Sequence, residues 1–136
     1  MITKEQMIPI LLKACPSFQK KWDGHCAEHL NEILYYVVLG DFAHHLLELD
    51  QQKTVESFPT IARAIEQLQA EGDGYVREAA TIGLLEGVQN VWKNNNVDPE
   101  LFFPYLLPVS AKWWQSLHDF WDGKTSPEVV KISEKK

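Results

Sequence analysis

No apolar run in this chain approaches the roughly 20 residues that a membrane-spanning helix needs. The opening Met1-Ile2-Thr3-Lys4-Glu5-Gln6 also lacks the charged-then-apolar order of a secretion signal. Both absences lead to the expectation of a cytoplasmic protein. Cysteine is scarce: Cys15 and Cys26 are the only two, too few for a disulfide framework in a chain that can build a core. They read as reduced thiols, although sequence alone leaves their pairing open. Basic residues are outnumbered, 13 against 19 acidic, for a formal net charge of −6. That balance argues against nucleic acid or an anionic membrane as partner and leaves room for a basic protein. Gly-x-Ser-x-Gly, a phosphate-cradling glycine loop and Cys-x-x-Cys are all missing. The chain is therefore expected to have no enzymatic activity, no cofactor and no metal.

What the chain does have is helix. A length of 136 residues, 45% of them hydrophobic, suits one domain with a single core, and five Trp, six Phe and four Tyr can fill it. Thr3 and Gln6 match a capping box ahead of Met7, Ile8, Leu11 and Leu12 at helical spacing. Pro9 sits inside that helix and Pro16 stops it. Ser17 opens a short second helix that Asp23-Gly24 is expected to close. The run Ile33 to Leu39 has the composition of a strand, but no second such run exists to pair with it. It is expected to be a connector or continued helix, with Gly40-Asp41 opening the next helix. Thr54 or Ser57 then caps a helix carrying Pro59 in its first turn and ending at Gly72. Asp98-Pro99 starts a short helix through Leu101, Phe102 and Tyr105. The last helix carries Trp113, Trp114, Leu117, Phe120 and Trp121 on one face. The fold expected is all-α: a single compact domain of about seven helices over residues 1–123, a bundle or α-α superhelix. Residues 124–136 are polar and read as a mobile tail.

Residues 74–92 should form the central post. Asp73 is placed to cap it, and Val76, Ala80, Gly83, Gly87 and Val91 fall on one seam at 3.6 residues per turn. Ile82 and Leu85 point elsewhere, so the helix has almost no polar face and should be buried all round. Gly83 and Gly87 each weaken a helix by about 1 kcal/mol relative to alanine, which calls for close approach by a neighbour. Arg77 and Glu78 are expected to pin a loop or a helix end.

His25-Cys26-Ala27-Glu28-His29 has the form H-x-x-E-H, with two histidines one turn apart and a glutamate between them. The spacing suits joint zinc coordination, but no third ligand is signposted; Glu78 and Glu86 are formal options only. His44 and His45 point about 100° apart on a helix and cannot share a metal. His118, beside Asp119, is either a base or a satisfied interfacial histidine. The tryptophan stripe of the last helix reads first as core and second as a partner surface. Tyr35 and Tyr36 are consecutive, so both cannot face fully inward.

The run from Glu71 to Gly87, with Trp113 to Leu117 and Phe120-Trp121, resembles an uncharacterised family of small bacterial helical proteins. Ile8 to Phe18 and Leu39 to Ala43 look like the same family, so the likeness covers most of residues 5 to 123. Small helical proteins of this kind look like immunity proteins of bacterial toxin systems, including contact-dependent growth inhibition. The resemblance implies a helical fold, no assigned activity, and a cognate toxin domain as partner. An acidic protein would suit a basic, nuclease-type toxin. Candidate contacts, chosen for acidity and chain proximity, are Glu28, Glu32, Asp41, Glu48, Asp50 and Glu56, with Tyr35 and Tyr36 as aromatic anchors. The alternatives are a generic helical interaction module and, third, a zinc-dependent hydrolase using His25, Glu28 and His29.

Overall fold

The structure is a computed structural model that describes residues 1–30 and 32–121, with only the backbone described at Phe120 and Trp121. Among these residues the helices are α1 (Lys4–Ala14), α2 (Gln19–Glu28), α3 (Tyr35–Gln51), α4 (Phe58–Glu71), α5 (Gly74–Glu78), α6 (Glu86–Asn94) and α7 (Pro108–Trp121). A π-helical segment, Ala79–Leu85, fuses α5 and α6 into one rod. No β-strand occurs among the described residues; the single β-bridge joins Ile2 to Gly72. The chain is an all-α domain, as its hydrophobic periodicity implies, and no described helix is long and apolar enough to cross a membrane. The tail expected over residues 124–136 lies outside the described residues.

The rod is the centre. All seven residues of the π segment are buried, as are Val76, Val88 and Trp92. α3 lies along the π segment and α6, α7 packs on the π segment, and α4 bridges α1, α5 and α7. α3 meets the expected close approach at Gly83 but not at Gly87, where a Cβ would find an ordinary van der Waals contact. A Cβ on Gly83 would come within 2.8 Å of Leu39 and 3.2 Å of Tyr36, and one on Gly87 within 3.5 Å of Ala43. The far end of the rod is locked by aromatic rings from four elements. Trp92 (α6), Phe58 (α4) and Phe102 meet with centroids 5.3–6.5 Å apart, and Phe102 meets Trp114 (α7) at 6.3 Å. Such pairs add about 0.5–1.5 kcal/mol each beyond their buried area. The Trp92 indole N–H also donates to the Ala43 carbonyl at 3.3 Å.

Several local expectations hold. The Thr3 backbone N–H donates to Gln6 Oε1 at 2.9 Å, as a capping box requires, and Asp73 Oδ1 accepts from the Val76 N–H at 2.9 Å. Arg77 is exposed and donates through Nε to the Gly72 carbonyl at 2.8 Å, pinning the end of α4. Trp114 and Leu117 are core residues, Trp113 packs at the core's edge, and both cysteines are free. The side chains of Phe120 and Trp121 lie outside the description.

Other expectations are corrected. Gly24 does not close α2, which runs on to Glu28 because His25 buries its ring beside Trp22, 6.0 Å away and nearly parallel. The strand-like stretch divides: Ile33 and Leu34 are connector, whereas Tyr35 onward is α3, so Gly40-Asp41 lies inside that helix and does not open it. Burial of Val38, Leu39, Phe42 and Leu46 on one face outweighs the β-branched composition. The helix expected from Pro99 to Tyr105 is instead two 3₁₀ turns, Pro99–Leu101 and Phe103–Tyr105. Pro104 in the second turn supplies no N–H to carry a helix through.

Candidate functional surfaces

Glu28, Asp41 and Glu48 gather where the end of α2 faces the outer side of α3. Glu28 and Asp41 line a shallow cleft of about 310 Å³ together with Lys21, His25, His29, Val37 and His44. Glu48 is exposed and pairs with Lys21; this holds its carboxyl below the usual range, the bond from Lys21 being the largest cause. Val37, 49% exposed, is an apolar side chain in this cleft, and Leu30, just beyond α2, is 84% exposed. Glu32 is exposed in the connector, Asp50 is half-buried near the end of α3, and Glu56 is exposed before α4. These three are not part of the cleft.

Tyr35 and Tyr36 are half-buried at the start of α3, as their succession requires, and there they meet a residue absent from the expected set. Tyr75, 41% exposed in α5, stands edge-on to both, with centroids 6.2 Å apart in each pair. Ile2 brings α1 to this corner. Its N–H donates to the Glu71 carbonyl at 2.8 Å, and its carbonyl accepts from the Asp73 N–H at 2.9 Å. Lys4 Nζ then lies 5.9 Å from the Tyr35 ring centroid and 5.7 Å from that of Tyr75. Burial first, and then the Glu78 carboxylate and Tyr75, push the Tyr36 phenol up to about 12. Burial and then Glu5 raise Tyr35; burial, then Tyr35 and Glu78, raise Tyr75. Phenols are protonated at neutral pH in any case; burial and the two carboxylates hold these three so to higher pH still. Sequence spacing could not place Tyr75 against a helix about 40 residues upstream.

The histidines of the H-x-x-E-H stretch have other work. The His25 ring is buried and its Nε2 accepts from the Leu34 N–H at 3.2 Å, which fixes the entry to α3. The His29 ring lies 4.5 Å from it. No group of three or more His, Cys, Asp or Glu that could hold a metal ion occurs among the described residues.

A third cluster has no signature in the sequence. Ser17 Oγ and His45 Nε2 are 2.7 Å apart, and Cys15 Sγ is 3.5 Å from Ser17 Oγ. Glu48 Oε1 is 4.0 Å from His45 Nδ1, too far for a hydrogen bond, and that nitrogen has no such partner among the described residues. The order hydroxyl, imidazole, carboxylate is that of a catalytic triad. However, neither of the two clefts described here is lined by Ser17 or His45. The contact instead ties the turn before α2 to the buried face of α3. Burial, then Lys21, pull the His45 imidazole below its ordinary value, against an opposing pull from Glu48. A histidine whose folded pKa is depressed stabilises the fold above its unfolded value, near 6.5, and that stability is lost as pH falls below it. Urea unfolding should accordingly show a decline below about pH 6.5, with an NMR titration midpoint for His45 below that of a free histidine. Ser17→Ala should cost about 1 kcal/mol, because it strands the buried Nε2.

A larger cleft of about 640 Å³ runs between the end of α6 and the Pro99 turn, lined by Gln89, Lys93, Asn94, Asn96, Asp98 and His118 among others. Its lining is a mixture of amides and both charge signs, which selects no one ligand chemistry.

Fold and surfaces together define a small all-α domain whose most distinctive exposed features are a cleft that sets Glu28 and Asp41 beside Lys21 and three histidines, and an aromatic corner. The chain belongs to the family described as a domain of unknown function (DUF7674), which spans residues 8–122. No curated protein and no solved structure matches it.

Proposed function

We propose that this chain is a binding protein that associates directly with a basic protein domain, in the manner of a cytoplasmic immunity protein neutralising its cognate toxin. The observation that supports this reading is the surface shared by α2 and α3. Exposed Val37 lies in one cleft with Glu28 and Asp41, Glu48 pairs with Lys21 of the same cleft, and tyrosines stand at the start of the same helix. An apolar centre with a charged rim is the anatomy of a protein interface. The excess of acid, −6 overall, would steer a cationic partner toward it. The same surface would serve a generic helical interaction module, which differs only in the partner.

Co-purification with the product of the adjacent reading frame separates the two. A stable complex that protects cells from that product supports the immunity reading; a product that neither binds nor is neutralised overturns it. Within such a complex the double reversal Glu28→Lys/Asp41→Lys should weaken binding about tenfold or more, chiefly through slower association. The loss should shrink as salt is raised.

A further inference from the structure

The tyrosine corner carries a more specific reading, which rests on the proposal of a basic protein partner. We infer that Tyr35, Tyr36 and Tyr75 form a subsite for a cationic side chain, an arginine or lysine presented by that partner, and that Lys4 is the resident cation it displaces. Four observations converge. The rings of Tyr35 and Tyr36 each stand 6.2 Å from that of Tyr75, so three π systems meet at one corner. Tyr75 is 41% exposed, and neither Tyr35 nor Tyr36 is closed off from solvent. Glu5 and Glu78 supply negative charge beside the phenols. An ammonium group already occupies the corner: Lys4 Nζ lies within 6 Å of two ring centroids, the distance at which a ring face attracts a cation.

Lys4 is a weak occupant. It is exposed, and holding its flexible stem over two rings costs side-chain entropy. A guanidinium stacks on aromatic faces better than an ammonium does and is more weakly hydrated. A partner arginine therefore has an advantage over the resident lysine, which can swing into water at little cost. Tyrosine also suits an interface chemically, since its ring is apolar while its hydroxyl tolerates water.

The test uses the full chain with labelled tyrosine, titrated with a hexa-arginine peptide and followed by NMR. The ring resonances of Tyr35 and Tyr75 should shift in a saturable way. The double variant Tyr35→Ala/Tyr75→Ala should bind the peptide about tenfold more weakly, each exposed ring accounting for roughly two- to fivefold. Tyr75→Phe, which keeps the ring, should bind as the wild type does. Lys4→Met should bind about two- to fivefold more tightly. Should the double variant fail to fold, Tyr75→Ala alone carries the comparison.

A peptide that shifts no tyrosine ring, or that binds the ring variants as tightly as the wild type, overturns the inference. Binding abolished by Glu28→Lys/Asp41→Lys while the rings stay silent removes the subsite and leaves the acidic-surface reading standing. Peptide capture by the rings, with no complex formed by the product of the adjacent reading frame, does the reverse.

Discussion

Glu66→Ala is expected to lower the unfolding free energy by about 2–3 kcal/mol, measured by urea denaturation at neutral pH. The reason is a cap supplied across the fold. Glu66, on α4, accepts the Ser110 N–H and hydroxyl at Oε1, both at 2.9 Å, and the Val109 N–H at Oε2, 3.0 Å away. Those N–H groups belong to the first turn of α7, which has no internal partners for them. The carboxylate also sits where the helix dipole favours negative charge. Its removal leaves fully buried Ser110 with unsatisfied donors.

Protonation tests the same contact. Burial alone would raise the Glu66 carboxyl, but the bonds from Ser110 and Val109 outweigh it and hold the group below its ordinary value. A carboxylate whose folded pKa is depressed gives stability that is complete above its unfolded value, about 4.3. That stability is lost as pH falls through the lower folded value. Wild-type stability should therefore drop below about pH 4.5, and the part due to Glu66 should be absent in Glu66→Gln. An identical acid limb in both proteins would assign the loss to other carboxylates.

Gly72→Ala should cost about 1–3 kcal/mol, although it changes one hydrogen for a methyl group. The conformation of Gly72, with φ −71°, is open to any residue, so left-handed strain plays no part. Space decides the matter. A Cβ there would lie 2.4 Å from the Leu68 carbonyl oxygen and 2.6 Å from Val76 Cγ1. The first is backbone and cannot swing aside. The same residue receives Arg77 on its carbonyl and sits opposite Ile2 in the β-bridge, so a shift would be felt at both contacts. Gly83→Ala makes a useful contrast in the same urea series. Its Cβ would press on Leu39 Cδ1, the end of a side chain, and the loss should be smaller. Equal losses would contradict the steric account.

These two positions also show how far the sequence could be read. Gly72 was legible as a helix end, since glycine there followed a run of apolar residues at helical spacing and preceded a capping aspartate. The cause of its intolerance was not, because crowding by Leu68 and Val76 exists only once two helices meet. Glu66 was not legible at all: nothing in its neighbourhood points to a turn more than 40 residues away. The same limit explains the surfaces. Tyr35 and Tyr36 drew notice because adjacent residues cannot both be buried, while Tyr75, which brings them together, sits across the fold. Acidity named six carboxylates but could not show that Glu28 and Asp41 line one cleft while Glu32, Asp50 and Glu56 lie apart from it, because net charge carries no position. His44 and His45 looked equivalent in the chain; one is exposed and the other closes a contact with Ser17.

The π segment has a consequence for phase. Val76 and Val88 are 12 positions apart, about 120° out of step on a regular α-helix. A wide turn that takes in one additional residue reduces that difference to about 20°. The wide turn thus brings Val76 and Val88, both buried, onto nearly the same side of the rod, so that its two ends share one inward face. A single uninterrupted α-helix would turn one of these valines about 120° away from the other. Between them α3, α4 and α7 all rest on the π segment, so the enclosure is complete only there, while both ends of the rod keep exposed positions such as Arg77 and Asn90.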